Sequence, residues 1–215
     1  MKSKDVVLII ILALILSAVT IISSALLVTF DIGFYKNEFS RNGIYENFGD
    51  RNYVDNVSTN LIGYLRGNNN LVYTYYSGRE ISHLKDVRNL IYGLEIFLII
   101  ILIVLMVLLI LLFYKNYKYL WIVFIGGFGF LILFILLFYL LSLMNFSYIF
   151  DKFHRLFFTG NSWILDSSST LIRLFPEEFF THAFIRILII SLVIGLFEIL
   201  IGLLIKKNNL NKKLF

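Results

Sequence analysis

Residues 90–113 read LIYGLEIFLIIILIVLMVLLILLF, an apolar run broken by one charged side chain, Glu95. At 1.5 Å of rise per residue, such a run forms a helix long enough to cross a bilayer core of roughly 30 Å. Three further stretches have the same character, at residues 6–29, 120–144 and 183–205. A chain that is 59% hydrophobic and 17% aromatic lies outside the composition of soluble domains. The first stretch has no small-residue cleavage pattern behind a short apolar core, so it is expected to be retained as a helix rather than removed as a signal peptide. The expected fold is therefore a mainly α membrane protein with four transmembrane helices, folded as a single integral membrane domain over residues 1–215.

Lysine and arginine near the ends of spans are retained in the cytoplasm. Lys2 and Lys4, the turn with Lys115 and Lys118, and the tail with Lys206, Lys207, Lys212 and Lys213 all fall on one side of a four-span chain. Residues 1–5, 114–119 and 206–215 are expected to be cytoplasmic, and residues 30–89 and 145–182 extracytoplasmic. The net charge of +5 then reports topology and contact with anionic lipid, not nucleic acid. The absence of cysteine removes a thiol nucleophile and cysteine-type metal sites.

The first outer segment is expected to fold as a small mixed subdomain. Phe39, Ile44 and Phe48 flank Asn42-Gly43, a dipeptide favoured in hairpin turns. Val57, Leu61, Tyr64 and Leu65 recur at helical spacing up to Gly67, a stop signal, and Leu71 to Tyr76 is a short aromatic strand candidate. Ser77 and Glu80 then match a capping box, with Ile81, Leu84, Val87 and Ile91 carrying the helix into the second span. On that helix His83 lies three residues from both Glu80 and Asp86, within side-chain reach of either. A carboxylate beside an imidazole fixes its tautomer and stabilises its protonated form.

The second outer segment is an aromatic one: Phe146, Phe150, Phe153, Phe157, Phe158, Trp163, Phe175, Phe179 and Phe180, with His154 among them. Most of these rings suit a belt at the headgroup level. Pro176 followed by Glu177 and Glu178 reads as a helix start. His182 reads as an interfacial polar residue. Inside the spans charges are expensive and usually paired or functional, so Glu95 and Arg186, both near outer ends, are expected to pair. Glu198 is expected to reach the cytoplasmic interface, and Gly126, Gly127 and Gly129 to permit close helix packing.

The run Phe150-Asp151-Lys152-Phe153-His154-Arg155-Leu156-Phe157-Phe158, then Trp163 and Leu171-Ile172-Arg173-Leu174-Phe175-Pro176 ahead of Phe179-Phe180, resembles the bacterial lipoprotein intramolecular transacylase family, called Lit. The block Glu80-Ile81-Ser82-His83-Leu84-Lys85-Asp86-Val87-Arg88 resembles that family's other signature. The resemblance implies an acyltransferase of the Gram-positive cell membrane that acts on lipoprotein N-termini carrying a diacylglyceryl-cysteine. It moves the sn-2 acyl chain to the cysteine α-amino group and gives the lyso-form lipoprotein. It also implies His83 and His154 as the functional pair; no cofactor is expected, and no metal, since no convincing metal-ligand spacing is present. The attacking amine, with a reference pKa near 8, needs a base at neutral pH, and an imidazole is poised to serve. His154 is expected to act as base, His83 as stabiliser of the oxyanion or proton relay, and Asp86 as orienter, with Glu80, Arg155 and Trp163 as further supporting residues. Its partners are lipoprotein N-termini and membrane lipid. Without a cysteine or a G-x-S-x-G elbow, no covalent acyl-enzyme is required.

Two other classes compete. A metal-dependent membrane hydrolase would use the histidines as ligands, against which stands the absence of a His-x-x-x-His frame. A non-enzymatic membrane partner or sensor would use the outer segments as a docking surface.

Overall fold

The computed structural model describes residues 2–144, 146–158 and 160–211, without the side chains of 141–144 and 211. Lys212, Lys213 and Asn145, used above to place the tail and the second outer segment, lie outside the described residues. The α-helices are α1 (Ser3–Thr29), α2 (Ile32–Arg41), α3 (Ile44–Phe48), α4 (Arg51–Leu65), α5 (Gly78–Asn116), α6 (Leu120–Met144), α7 (Phe146–Phe157), α8 (Thr170–Leu174) and α9 (Glu177–Asn211), with 3-10 turns at Tyr73–Tyr75 and Tyr117–Tyr119. Three helical runs are long and apolar enough to cross a membrane: Ser3–Thr29, Gly78–Leu140 and Glu177–Leu210. The second of these comprises α5 and α6 and the 3-10 turn between them.

Contacts divide the chain into two compact units. The first holds Met1–Ala25, Glu95–Leu140 and Ile187–Phe215. Its core is Ile9, Leu12 and Leu16 of α1 against Leu105, Leu112 and Val123. Small residues bring its helices together, as expected of packing in lipid: a Cβ on Gly127 would meet Leu16, one on Gly126 would meet Ala13, and one on Gly202 of α9 would stand 2.9 Å from Phe124 Cβ. Gly129 faces open space and has no such role. Ile99, Ile103 and Met106 of α5, all more than half exposed, suit a lipid solvent and would be a liability in water. Glu198 departs from the expected path to the interface. It is buried, held inside the unit by a hydrogen bond from Thr20 Oγ1 of α1 to one carboxylate oxygen, while its other oxygen is buried without a hydrogen-bond partner among the described residues.

The second unit holds Leu26–Leu94 and Leu141–Arg186. It is helical rather than mixed, and no strand occurs among the described residues. Asn42-Gly43 does not turn a hairpin. Asn42 caps the end of α2 and Gly43 takes the left-handed conformation (φ 65°) that starts α3. The same backbone state that suits a hairpin turn also suits a helix end. Here Phe34, Tyr35 and Phe39 decide the outcome, since their spacing puts all three on one buried face of a helix that Asp31 N-caps. Leu71 to Tyr76 is not a strand either. Asn60 takes the place of a partner strand, its Oδ1 accepting from Val72 N and its Nδ2 donating to Asn70 O, both at 3.0 Å. The helix expected up to Gly67 is α4, and Gly67 has φ 80°. Rings from α2, α8's end and α9 form the unit's centre, with Phe39 5.8 Å from Phe175 and Tyr35 5.1 Å from Phe179.

Candidate active site

The start of α5 is fixed by the capping box that its sequence announces. Ser77 N donates to Glu80 Oε2 at 2.7 Å, and Glu80 N donates to Ser77 Oγ at 3.4 Å. The other carboxylate oxygen of Glu80 accepts from Leu171 N at 2.8 Å, at the start of α8. Glu80 is thus fully occupied and 2% exposed. Its carboxylate ties two helix starts together and is not directed at His83. Asp86 accepts from Ser162 Oγ at 2.7 Å, and its charge still acts on His83 without a hydrogen bond.

His83, one turn into α5, faces the end of α7, where His154 sits on the buried side of an amphipathic helix. The two imidazole centroids are 5.9 Å apart. Phe158 packs against both, 5.1 Å from His83 and 5.4 Å from His154. Trp163 lies over His154 at 5.1 Å, and Phe150 packs against it at 4.3 Å. Arg155 carries its guanidinium over the Trp163 ring and bonds Asp151 at 2.8 Å. Two rings far apart in sequence therefore share an aromatic enclosure.

Their electrostatics differ. Burial pushes the His83 imidazole down to about 4, and His154 pushes it the same way while Asp86 opposes. His83 Nδ1 is buried without a hydrogen-bond partner among the described residues. Burial also lowers His154, against the opposing pull of the Phe150 carbonyl and the Asp151 charge. His154 Nδ1 lies 2.7 Å from Phe150 O. A carbonyl only accepts, so Nδ1 carries the hydrogen, and in the neutral ring Nε2 keeps its lone pair.

The expected Glu95–Arg186 pair is replaced by another. Arg186 bonds Asp31, which sits at the joint between α1 and α2 and also N-caps α2. Its guanidinium lies over Phe34, so a carboxylate and a ring from one turn hold it. Glu95 makes no ion pair among the described residues. His182 is likewise engaged, with Nδ1 bonded to the buried Glu38. Asp31 and Glu38 were not legible as partners, because each meets a residue more than a hundred positions away. Ser162 was not expected at the site, and Phe158 reads in the sequence only as one ring of the aromatic segment and the end of the run that carries the resemblance. Only the aromatic density around His154 hinted at Phe158, and nothing singled out Ser162.

The family model for the lipoprotein intramolecular transacylase Lit matches residues 9–180. An uncharacterised protein of Aquifex aeolicus (strain VF5) is 27% identical over 139 residues, covering 61% of this chain and 58% of that protein. The chain thus spans less than two thirds of that relative. The solved structure of the membrane integral lipoprotein intramolecular transacylase Lit from Bacillus cereus superposes with a TM-score of 0.82 at 21% identity, over 99% of each chain. A variant of that protein with one histidine replaced by alanine matches at a TM-score of 0.79 and 20% identity, over 95% of this chain and 94% of that one. At these identities the structural likeness shows a shared fold. Because the family model runs from α1 through both histidine-bearing blocks to the first turn of α9, the chain belongs to the lipoprotein intramolecular transacylase (Lit) family.

Proposed function

We propose that the chain moves the sn-2 acyl group of a diacylglyceryl-cysteine to the α-amino nitrogen of the same cysteine, at the outer face of a bacterial membrane. Four spans at residues 6–29, 90–113, 120–144 and 183–205 carry the chain across, with both termini cytoplasmic and residues 30–89 and 145–182 outside. The one-sided lysines of the short flanks support this orientation. The observation that carries the catalytic reading is the paired imidazoles in one aromatic enclosure, one of them with its Nδ1–H tied to a carbonyl.

In this reading His154 is the base. Its Nε2 lone pair takes one proton from the neutral amine as the nitrogen bonds to the ester carbon, and the imidazolium so formed is stabilised by the Phe150 carbonyl and by Asp151. The nitrogen attacks the ester carbonyl, a C–N bond forms, and the carbonyl oxygen takes up negative charge. His83, held neutral by burial, donates an N–H to that oxyanion, a contribution of about 3 kcal/mol in comparable sites. Collapse breaks the C–O bond to glycerol, and His154 returns its proton to the departing oxygen. The ester becomes an amide, the sn-2 hydroxyl is freed, and no atom is lost. Attack within one molecule passes through a ring of about eight atoms, so holding the glycerol and cysteine in register is a large part of the rate gain. The fixed rings of Phe158 and Trp163 suit that task.

His83→Ala and His154→Ala should each lower turnover of a diacyl lipopeptide about a hundredfold or more, the scale of a lost acid-base group, with membrane abundance unchanged. Substantial turnover in either variant removes that histidine from the mechanism.

A further inference from the structure

Beside the histidines the surface opens into a hollow of about 500 Å³, lined by Arg79, Ser82 and Asp86 of α5 and by Asn161 and Ser162 of the turn after α7. The three α5 residues lie on one helix face, at i, i+3 and i+7, and Ser82 is the immediate neighbour of His83. The opposite wall is held in place. Gly160 takes φ 99°, Ile164 N closes a turn on Asn161 O at 3.2 Å, and Arg79 Nη1 donates to Ile164 O at 3.2 Å. The Ser162–Asp86 bond joins the two walls directly. The volume is of the size that holds small ligands, roughly 300–1,000 Å³, yet none of the lining residues is apolar.

Such walls do not suit acyl chains, which offer nothing to hydrogen-bond. Asp86 also makes them unsuited to a lipid phosphate, whose charge it would repel. A peptide backbone fits, because each residue brings one N–H donor and one carbonyl acceptor. Arg79, Ser82 and Asn161 supply donors, while Asp86 and the Asn161 carbonyl supply acceptors. We infer that this hollow binds the peptide that follows the lipidated cysteine, as the subsite that reads a lipoprotein as distinct from a free lipid. The inference rests on the acyl-transfer reading above and names a second binding element for its substrate. Asp86, which would otherwise orient His83, takes a role facing the peptide.

The test compares three substrates on the purified full-length protein: diacylglyceryl-cysteine amide, the same head with three further residues, and that lipopeptide with its backbone amides N-methylated. The wild type should favour the unmodified lipopeptide over the other two by at least tenfold in kcat/KM, the difference residing in KM. Asn161→Ala and Arg79→Ala should each shrink that preference to less than threefold. Equal kcat/KM on all three substrates in the wild type overturns the peptide subsite while leaving acyl transfer standing. A preference that both variants retain in full overturns it equally. No transfer on any substrate overturns the acyl-transfer reading and this inference with it.

Discussion

An imidazole buried among rings reports its surroundings through the protons it no longer holds. His83 sits near 4 in the folded chain, pushed down by burial and then by His154, and His154 is lowered too. In the unfolded chain both recover an ordinary value of about 6.5. Between these limits the unfolded state binds more protons, so stability rises with pH across the window. The contribution is complete above about pH 6.5 and is lost as pH falls through the window toward 4. The thermal midpoint of the purified protein should therefore drop on acidification over that range, and His83→Gln should drop less steeply. Parallel slopes for the two proteins would contradict the burial of this imidazole. The lowered values also bear on the proposed reaction, in which both rings would be neutral at the pH where an α-amino group begins to lose its proton.

Glu80 shows how one side chain can assemble elements. It closes the capping box of α5 and accepts the Leu171 N–H at the start of α8, so its removal frees two backbone donors, one of them buried. Glu80→Ala should cost about 2 kcal/mol of stability, the sum expected for a lost cap and a buried donor left unpaired. Chemical denaturation followed by circular dichroism measures it, and a loss of less than about 0.5 kcal/mol would contradict the double role. Half of this role was legible beforehand, because Ser77 and Glu80 are three residues apart and local spacing encodes a local bond. The link to Leu171 was not, since nothing in the chain says which helix start will arrive 91 residues later. The same division runs through the fold. The helix ending before Gly67 and the helix that follows Pro176 were written in local signals. Asn42-Gly43 misled because one backbone state serves both hairpins and helix ends, and Leu71 to Tyr76 misled because Asn60 supplies the bonds a neighbouring strand would have given. Arg186 found Asp31 rather than Glu95 for the long-range reason that hid the Leu171 contact.

For the molecule as a whole, the apolar runs were the easiest part to read, because lipid imposes length and composition on any segment that crosses it. Which residues face outward is a separate claim. Reporter fusions after Gly49 and Trp163 should read as external, and fusions at Asn116 and the C-terminus as cytoplasmic, while the opposite sidedness for either histidine-bearing segment would remove the shared outer site. The histidines themselves could be singled out in sequence, whereas the enclosure by Phe158 and the bond from His154 to Phe150 O emerged only with the fold. The central claim of the proposed function is that the acyl group never leaves its own substrate: the chain has no cysteine to carry it, and in that reading His154 serves as the base. Its most direct test mixes an unlabelled diacyl lipopeptide with isotopically labelled phospholipid in the presence of the protein and follows the product by mass spectrometry. The product should keep its total mass, with one chain moved from glycerol to the cysteine nitrogen and no label in the new amide; label in that amide would contradict intramolecular transfer and make phospholipid the donor.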